Sequence, residues 1–586
     1  QVSAAAGEGL RLTLEGPTGQ VAAAAVKAGQ RTEVALSPGG LPAGQTVLRG
    51  VLYAREERLA TAACTVLVAA PPASPTANPV VIDHRSQTLR VGGLPFCPQA
   101  CYADVRTMDQ VLEQEATTGV NVLSPYLSTD INERRRNRAE LRKFLDRCAQ
   151  VGMYVQLNML AASRAPQDED KWAWVKEEVE AFRDHPALLS YYLADEPELG
   201  WSKPEECAAA YERLKALDPW HPVTMVFCQA PAAVRYQAGM DIVMTDPYPI
   251  PNGPVTQVVD FCERIRGDLG DALPLWVVPQ AFGGGEWWKR EPSRQEERVM
   301  TYLALIHGGH GIQYFIRRPP AVNPTSPDLW SECRRLLLEL GQLTPALAGG
   351  EPAPRVSVQQ PTVHAAAFRH GGVVTLLLAN TVNEPGPVDL TLDLPVSGQA
   401  EVLFENRRLP VTAGKLHDLV DAFGTRAYRL ELAPLADRVP LAQGNLIVNP
   451  SFEEAHNVGT PDGAYTGYGN DAGASWFVDP RLSVHGRQCL RLRTPVEGQG
   501  VNVALFPVTL ADKTRYRLSF WAKAERDGMR CTLSGSTVKG AQAEHVLNTE
   551  WREYAVEFTT PEKAGRPSFN LRLVSPGAAW FDAVQL

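Results

Sequence analysis

The feature that most constrains this chain is an alternation repeated eight times: an apolar strand signal followed by an amphipathic helical stretch. The spacing predicts strands over 97–102, 120–127, 152–159, 187–195, 222–228, 241–246, 274–281 and 311–316. Between them apolar residues recur at helical spacing, as in Leu141, Phe144, Leu145 and Cys148, or Val299, Tyr302, Leu303 and Ile306. Asp104 and Ser202 stand as helix N-caps, and Gly119 and Gly152 follow C-terminal turns. Eight such units over about 260 residues match a (β/α)8 TIM barrel in count and length. An open doubly wound sheet is the alternative, but no glycine fingerprint for nucleotide phosphates follows the first strand.

The flanks have a different texture. Residues 1–75 alternate in short runs such as Leu10-Arg11-Leu12-Thr13-Leu14, separated by Gly/Pro turns, and read as an N-terminal β-sandwich. Pro71-Pro72-Ala73-Ser74-Pro75 is a stiff linker. The barrel takes 76–350, opening with a hairpin over 88–96. Strand patterns without helices then give a second β-sandwich over 351–438 and a third all-β unit over 442–586. The expected fold class is a multidomain chain: a TIM barrel flanked by β-sandwich domains, with a C-terminal β jelly roll.

Composition excludes several functions. A net charge of -9, without a long Lys/Arg run, argues against a nucleic-acid partner. The longest basic cluster, Arg134-Arg135-Arg136, reads as a solvated helix face. No apolar stretch reaches the ~18 residues of a membrane span. Ten cysteines include no CxxC pair, so neither a zinc ribbon nor a dense disulfide framework is indicated. Cys64, Cys148 and Cys228 sit in apolar patterns as buried thiols. The chain opens at Gln1, which reads as a mature form whose signal peptide is gone, hence a secreted, periplasmic or cell-surface protein. The oligomeric state stays open.

The fourth strand ends in chemistry. Leu189-Ser190-Tyr191-Tyr192-Leu193-Ala194 is continuous and apolar, then breaks into Asp195-Glu196-Pro197-Glu198. Pro197 lacks an N–H and stops the ladder, which leaves two acids at the strand's carboxyl end, where barrels carry their catalytic groups. Acids placed for a helix dipole are the plainer reading, and suit Glu198, Glu205 and Glu206.

Ala194-Asp195-Glu196-Pro197 resembles the Asn-Glu-Pro signature of the retaining-glycosidase (4/7-type) clan of TIM barrels. Asp246-Pro247-Tyr248-Pro249 on strand six, and Pro274 to Gly283 on strand seven, are similar to the clan's tyrosine and Pro-x-Trp-x-x-Glu-x-Gly segments. The resemblance implies Glu196 as general acid/base. Two departures matter. Asp195 replaces the asparagine that holds a sugar hydroxyl, and Gln280 occupies the place of the nucleophilic glutamate. A carboxamide cannot form the glycosyl ester of a retaining mechanism.

Glycoside hydrolysis needs two carboxyl groups, about 5–5.5 Å apart for retention and about 6.5–9.5 Å for inversion. Glu286, behind Gly283-Gly284-Gly285, is one candidate partner for Glu196; the plain alternative is a mobile surface acid. Asp246 is the other, as a base activating water, against a turn-forming aspartate before Pro247. Asp195, Gln280, Tyr248, Tyr126 and Asn158 are candidate substrate-positioning groups, and Trp201, Trp287 and Trp288 candidate sugar platforms. Asp104, Gln229 and Gln313 also stand at strand ends. His307 and His310 enter strand eight from the opposite end and are discounted.

The last block resembles the jelly-roll carbohydrate-binding modules attached to xylanases and β-glucanases, through 445–453, 516–524 and 579–586. That resemblance implies Glu453 and Asp582 as ligands of a structural calcium, against surface hydrogen bonds. Tyr468 and Trp476 are candidate stacking rings, whereas Trp521 and Trp580 read as core. The expected function is cleavage of a β-linked poly- or oligosaccharide without a catalytic cofactor. Its rival is a glycan-binding protein on a glycosidase scaffold, or an inactivated retaining enzyme, with Gln280 as the motive.

Overall fold

The computed structural model describes residues 10–17, 19–27, 34, 36, 41, 44–68, 78–105, 111–164, 166–285, 287–318, 324–433, 437–498 and 500–586. The N-terminal unit is one antiparallel sheet of β1 (Leu10–Gly16), β2 (Gly19–Val26), β3 (Gly44–Ala54) and β4 (Glu57–Val68), in the order β2-β1-β3-β4. A sandwich was expected; the described residues form this single sheet.

The remaining chain begins with a three-stranded antiparallel sheet, β5 (Val80–Asp83), β6 (Thr88–Val91) and β7 (Leu94–Phe96). Eight parallel strands follow: β8 (Gln99–Asp104), β9 (Val122–Tyr126), β10 (Tyr154–Asn158), β11 (Leu188–Asp195), β12 (Val223–Phe227), β13 (Ile242–Thr245), β14 (Leu275–Val277) and β15 (Gly309–Arg317). They close in sequence order, β15 pairing with β8, into a barrel. This is the expected TIM barrel.

The small sheet forms the barrel's floor. Its Val80, Leu89, Val91 and Phe96 join one apolar cluster with Ala100, Val122, Leu189, Ile242 and Trp276, which stand near the amino ends of barrel strands or point inward. Halfway up, the interior turns polar. Gln313 donates to Gln156 at 3.0 Å, and Gln156 donates to Thr224 Oγ1 at 2.9 Å. Gln313 therefore ties strands together across the interior rather than facing the mouth.

Helices pack the outside. Ile131–Val151 is capped by Asp130, whose side chain accepts from the Asn132 and Glu133 amides, and ends at Gly152 with φ 82°. The expectation of a solvated basic face fails at Arg134. That residue turns toward helix Glu169–Phe182, pairs with fully buried Glu178 at 2.6 Å, and donates to the Asn158 carbonyl at 3.0 Å. Two facing helices leave this guanidinium no water, so a carboxylate and a carbonyl hold its two terminal nitrogens, while its Nε is buried without a partner.

Beyond the barrel, eight antiparallel strands β16–β23 (Val356–Glu431) form a single sheet around a core of Val374, Leu376, Leu390 and Tyr428. The order β16-β19-β22-β21-β20-β23-β18-β17 replaces the expected two-sheet sandwich. Last come β24 (Ala464–Thr466), β25 (Ser475–Asp479), β26 (Cys489–Thr494), β27 (Val501–Leu505), β28 (Arg515–Ala524), β29 (Met529–Gly535), β30 (Gln542–Leu547), β31 (Arg552–Thr559), β32 (Phe569–Leu573) and β33 (Gly577–Gln585). They make two five-stranded antiparallel sheets over one core that includes Leu490, Phe520, Leu571 and Phe581. Trp580 is buried as expected, but in a separate small cluster with Cys489 and Ala578, and Trp521 is only partly buried, because both positions alternate with the inward Phe520 and Phe581. Among the described residues, no helix is long and apolar enough to cross a membrane.

Candidate active site

Parallel strands put all their carboxyl ends at one mouth, and β11 delivers its acids there. The ladder ends at Asp195, and Glu196 adopts φ 44°, ψ 53° before the short turn Pro197–Leu199. Left-handed geometry at a non-glycine residue costs on the order of 1–3 kcal/mol and clusters at functional sites. The Glu196 N–H is held meanwhile by the Val226 carbonyl at 3.1 Å.

Four carboxyl groups gather around this turn. Asp195 accepts from the Tyr192 hydroxyl at 2.8 Å and the Tyr126 hydroxyl at 3.3 Å, and Tyr102 donates to Tyr192 at 3.2 Å. Burial pushes Asp195 up, while the tyrosine hydroxyls oppose that and the Glu196 charge adds to it. Asp246, one residue past β13, is 6% exposed. Its carboxyl is driven far above the usual carboxylate range by burial first, then by the charges of Glu196 and Asp195, then by a hydrogen bond with Glu196. Burial beside two other acids thus favours the protonated form of Asp246, and its Oδ1 is buried without a hydrogen-bond partner. β13 neighbours β12, whose own neighbour is β11, so the barrel's curvature brings these two strand ends together. Glu198 accepts from the Gln229 amide at 2.9 Å, and burial raises its carboxyl too.

Aromatic rings wall the mouth. Phe315 lies 5.5 Å from Tyr102, 5.9 Å from Tyr248 and 5.3 Å from Phe282, centroid to centroid. Trp288 packs 5.8 Å from Tyr248 and donates its indole N–H to the Tyr248 carbonyl at 2.9 Å. It is a wall element more than a free platform. Trp287 is 75% exposed. Trp201, 58% exposed, carries the Arg164 guanidinium over its ring at 5.1 Å and edges a shallow depression with Leu160 and Asp195.

Gln280 departs most from expectation. It is fully buried, its Oε1 accepts from the Ile250 N–H at 3.0 Å, and its Nε2 donates to the carbonyls of Ile250 at 2.8 Å and Phe282 at 3.1 Å. An amide is what this spot requires, because one side must accept and the other donate. Gln280 has no group free for a sugar; it ties the loop after β13 to the end of β14. Asn158, 1% exposed, accepts from the Leu160 amide at 3.2 Å, and its Nδ2 is buried without a partner. Glu286 lies outside the described residues.

Sequence reasoning missed Tyr102, Tyr192, Phe315 and Arg164. The two tyrosines sit inside apolar strand runs, where nothing marks a hydroxyl that reaches an acid. A signal did exist for Tyr192, three residues before Asp195, since the Asp195-Glu196 turn brings that acid back over it.

Far from the mouth, Glu453 and Asp582 do come together. Asp582 accepts the amides of Val484, His485 and Ala583 at 2.7, 3.0 and 2.7 Å, and Glu453 those of Arg487 and Gln488 at 2.8 and 3.0 Å. Burial, with Glu453 adding to it against the amides, lifts Asp582 to about 7. Both Asp582 oxygens face amide protons, which suit a carboxyl but repel a cation. Among the described residues, no group of three or more His, Cys, Asp or Glu could hold a metal. These residues do not fit a calcium cradle.

No protein-family model and no curated protein matches the chain. Solved structures do. A family 39 glycoside hydrolase from Bacteroides cellulosilyticus WH2 is 12% identical over 72% of this chain and 95% of its own, with a TM-score of 0.40. A maltogenic α-amylase from Thermotoga neapolitana is 12% identical over 57% of this chain and 99% of its own, with a TM-score of 0.42. A β-glucuronidase from Bacteroides uniformis is 11% identical over 98% of this chain and 76% of its own, with a TM-score of 0.32. The functional reading rests on the site, not on these likenesses.

Proposed function

We propose that this chain is a glycoside hydrolase in which Glu196 protonates the departing sugar oxygen. The observation that carries the reading is the Glu196–Asp246 carboxyl pair at the strand-end mouth, walled by tyrosines and tryptophans. Asp246, kept protonated by burial beside Glu196, is the proposed reserve of that proton. Glu196 then gives it to the leaving oxygen, and the pair's charge is spread over two buried groups. Asp195, fixed by Tyr192 and Tyr126, is placed to accept a sugar hydroxyl, with Tyr248 and Trp201 beside the substrate. The second carboxylate is assigned to Glu286, because Asp246 is engaged by Glu196 and Gln280 by Ile250.

The substrate is a poly- or oligosaccharide, β-linked through the resemblance of the C-terminal block to glycan-binding modules. That block is proposed to hold glycan through Tyr468, which is 95% exposed, and Trp476. Glu453 and Asp582 are proposed as an amide staple between the 484–488 loop and the last strand, in place of a calcium site. All nine cysteines with described side chains are free thiols, a pattern commoner in reducing compartments, so the proposal does not extend to export.

A second reading, glycan binding without turnover, is favoured by one observation: the place the resemblance gives to a nucleophile holds Gln280, whose amide is taken up by Ile250 and Phe282. Reducing-sugar release from a panel of glycans separates the two. The hydrolase reading expects release by the natural chain and loss of it in Glu196→Gln. Binding of a glycan with no release by any version would establish the second reading instead.

A further inference from the structure

The mouth is not the barrel's only ligand-sized space. At the opposite end, the outer face of the jelly-roll sheet β25-β26-β33-β28 meets the barrel floor, and a cavity of about 470 Å³ lies between them. That volume is in the range of small-molecule sites. Cross-strand register sets four of its lining side chains in one row: Phe477 pairs with Arg491, Arg491 with Trp580, and Trp580 with Lys523. Neighbours in such a row share a face of the sheet.

The row carries cation without matching anion. Arg491 lies 6.0 Å from the Phe477 ring centroid, and neither Arg491 nor Lys523 has a hydrogen bond or ion pair among the described residues. The nearby acids are already engaged. Asp479 holds Arg481 at 2.7 Å and the Trp580 indole N–H at 2.8 Å, while Glu525 holds Arg493 at 3.1 Å. Arg493 Nε is itself buried without a hydrogen-bond partner. Burying charge without a partner is costly, and a crevice arranged this way is completed by an oxyanion.

We propose that this crevice is a second binding site, taking a saccharide that carries a carboxylate or sulfate, with the oxyanion between Arg491 and Lys523 and the sugar ring against Trp580. Guanidinium groups match such oxyanions in geometry, and indole surface is an apolar platform for a ring. Burial, with the charges of Arg481 and Arg493 adding to it against the pull of Asp479, brings the Arg491 guanidinium down to about 10; a bound anion acts with Asp479 to raise it. The two ends of the barrel then differ in kind. The mouth gathers Asp195, Glu196, Glu198 and Asp246 and repels an acidic unit, whereas the floor crevice attracts one.

The test is calorimetric titration of the full chain with digalacturonate, sulfated galactobiose, neutral galactobiose and sodium sulfate. The Glu196→Gln chain is used as background, so that failure of the hydrolase reading leaves this result standing. At least one acidic disaccharide is expected to bind and the neutral one not, with Kd weakened about tenfold or more in both Arg491→Gln and Lys523→Gln. Thermal melting identifies any variant that has lost its fold, and Lys523→Gln, at a partly exposed position, carries the test if Arg491→Gln does. Equal binding of neutral and acidic sugars, no binding of either acid, or unchanged affinity in a folded variant would overturn the proposal. Sodium sulfate binding as tightly as the sulfated sugar would overturn its saccharide half.

Discussion

Replacing Gln280 by glutamate separates two accounts of this chain. If Gln280 stood where a nucleophile had been lost, Gln280→Glu would create or raise activity. The structure predicts damage instead. Nε2 donates to two carbonyls, those of Ile250 and Phe282, inside a fully buried site. A carboxylate there leaves both without this donor and adds an acceptor against them. Each buried group left unsatisfied costs about 1–3 kcal/mol. A protonated carboxyl restores one donor, so one carbonyl stays unsatisfied and the net loss is about 1–3 kcal/mol at acid pH. In a domain of this size that lowers Tm by roughly 2–12 °C. The deficit grows with pH, since a buried carboxyl has its pKa raised on folding and its contribution is lost as pH rises above the unfolded value. Differential scanning calorimetry at pH 4.5 and pH 8, run beside a reducing-sugar assay, reads both effects. A variant with unchanged Tm and new hydrolytic activity would refute the structural assignment of Gln280.

Other expectations follow from the same contacts. Asp246→Asn removes the like charge that helps the carboxyl pair keep its last proton, so the alkaline limb of kcat/KM should move to lower pH; an unmoved limb would show that the pair does not titrate as a unit. Asp582, lifted to about 7, contributes stability that is full below about pH 4 and lost as pH rises to about 7. That shift is worth about 4 kcal/mol, so the stability gap between the natural chain and Asp582→Asn should narrow over that window in chemical denaturation. Adding calcium to chelator-treated protein should leave the jelly-roll transition where it was; a clear rise in Tm would restore Glu453 and Asp582 as ligands.

Legibility in the sequence followed how locally each feature was determined. The barrel strands were readable because a strand buried on both faces is a continuous apolar run, and their ends fell within a few residues of expectation: 187–195 against Leu188–Asp195, 241–246 against Ile242–Thr245. Glu196 was marked by the abrupt change from apolar to acid at a proline. What the sequence hid was tertiary. Asp246 carries no sign that it will touch Glu196, since the contact depends on how the barrel closes. Gln280 follows a Pro-x-Trp segment one residue later than the catalytic pattern places its glutamate, and only its hydrogen bonds show an amide with a structural task. Arg134 belongs to a basic run, yet its burial depends on the helix at 169–182. Trp580 reads as core by strand alternation, and the register shows that it faces the crevice.

The proton-donor assignment of Glu196 is tested most directly with aryl glycosides of a responsive sugar, whose leaving groups span a range of acidity. Comparing kcat/KM of the natural chain with Glu196→Ala, the account predicts a deficit that grows as the leaving group becomes harder to expel without a proton. It should reach about 10²–10⁴-fold for the most basic phenols and nearly vanish for the most acidic. A deficit of the same size for every leaving group, or none at all, would contradict it.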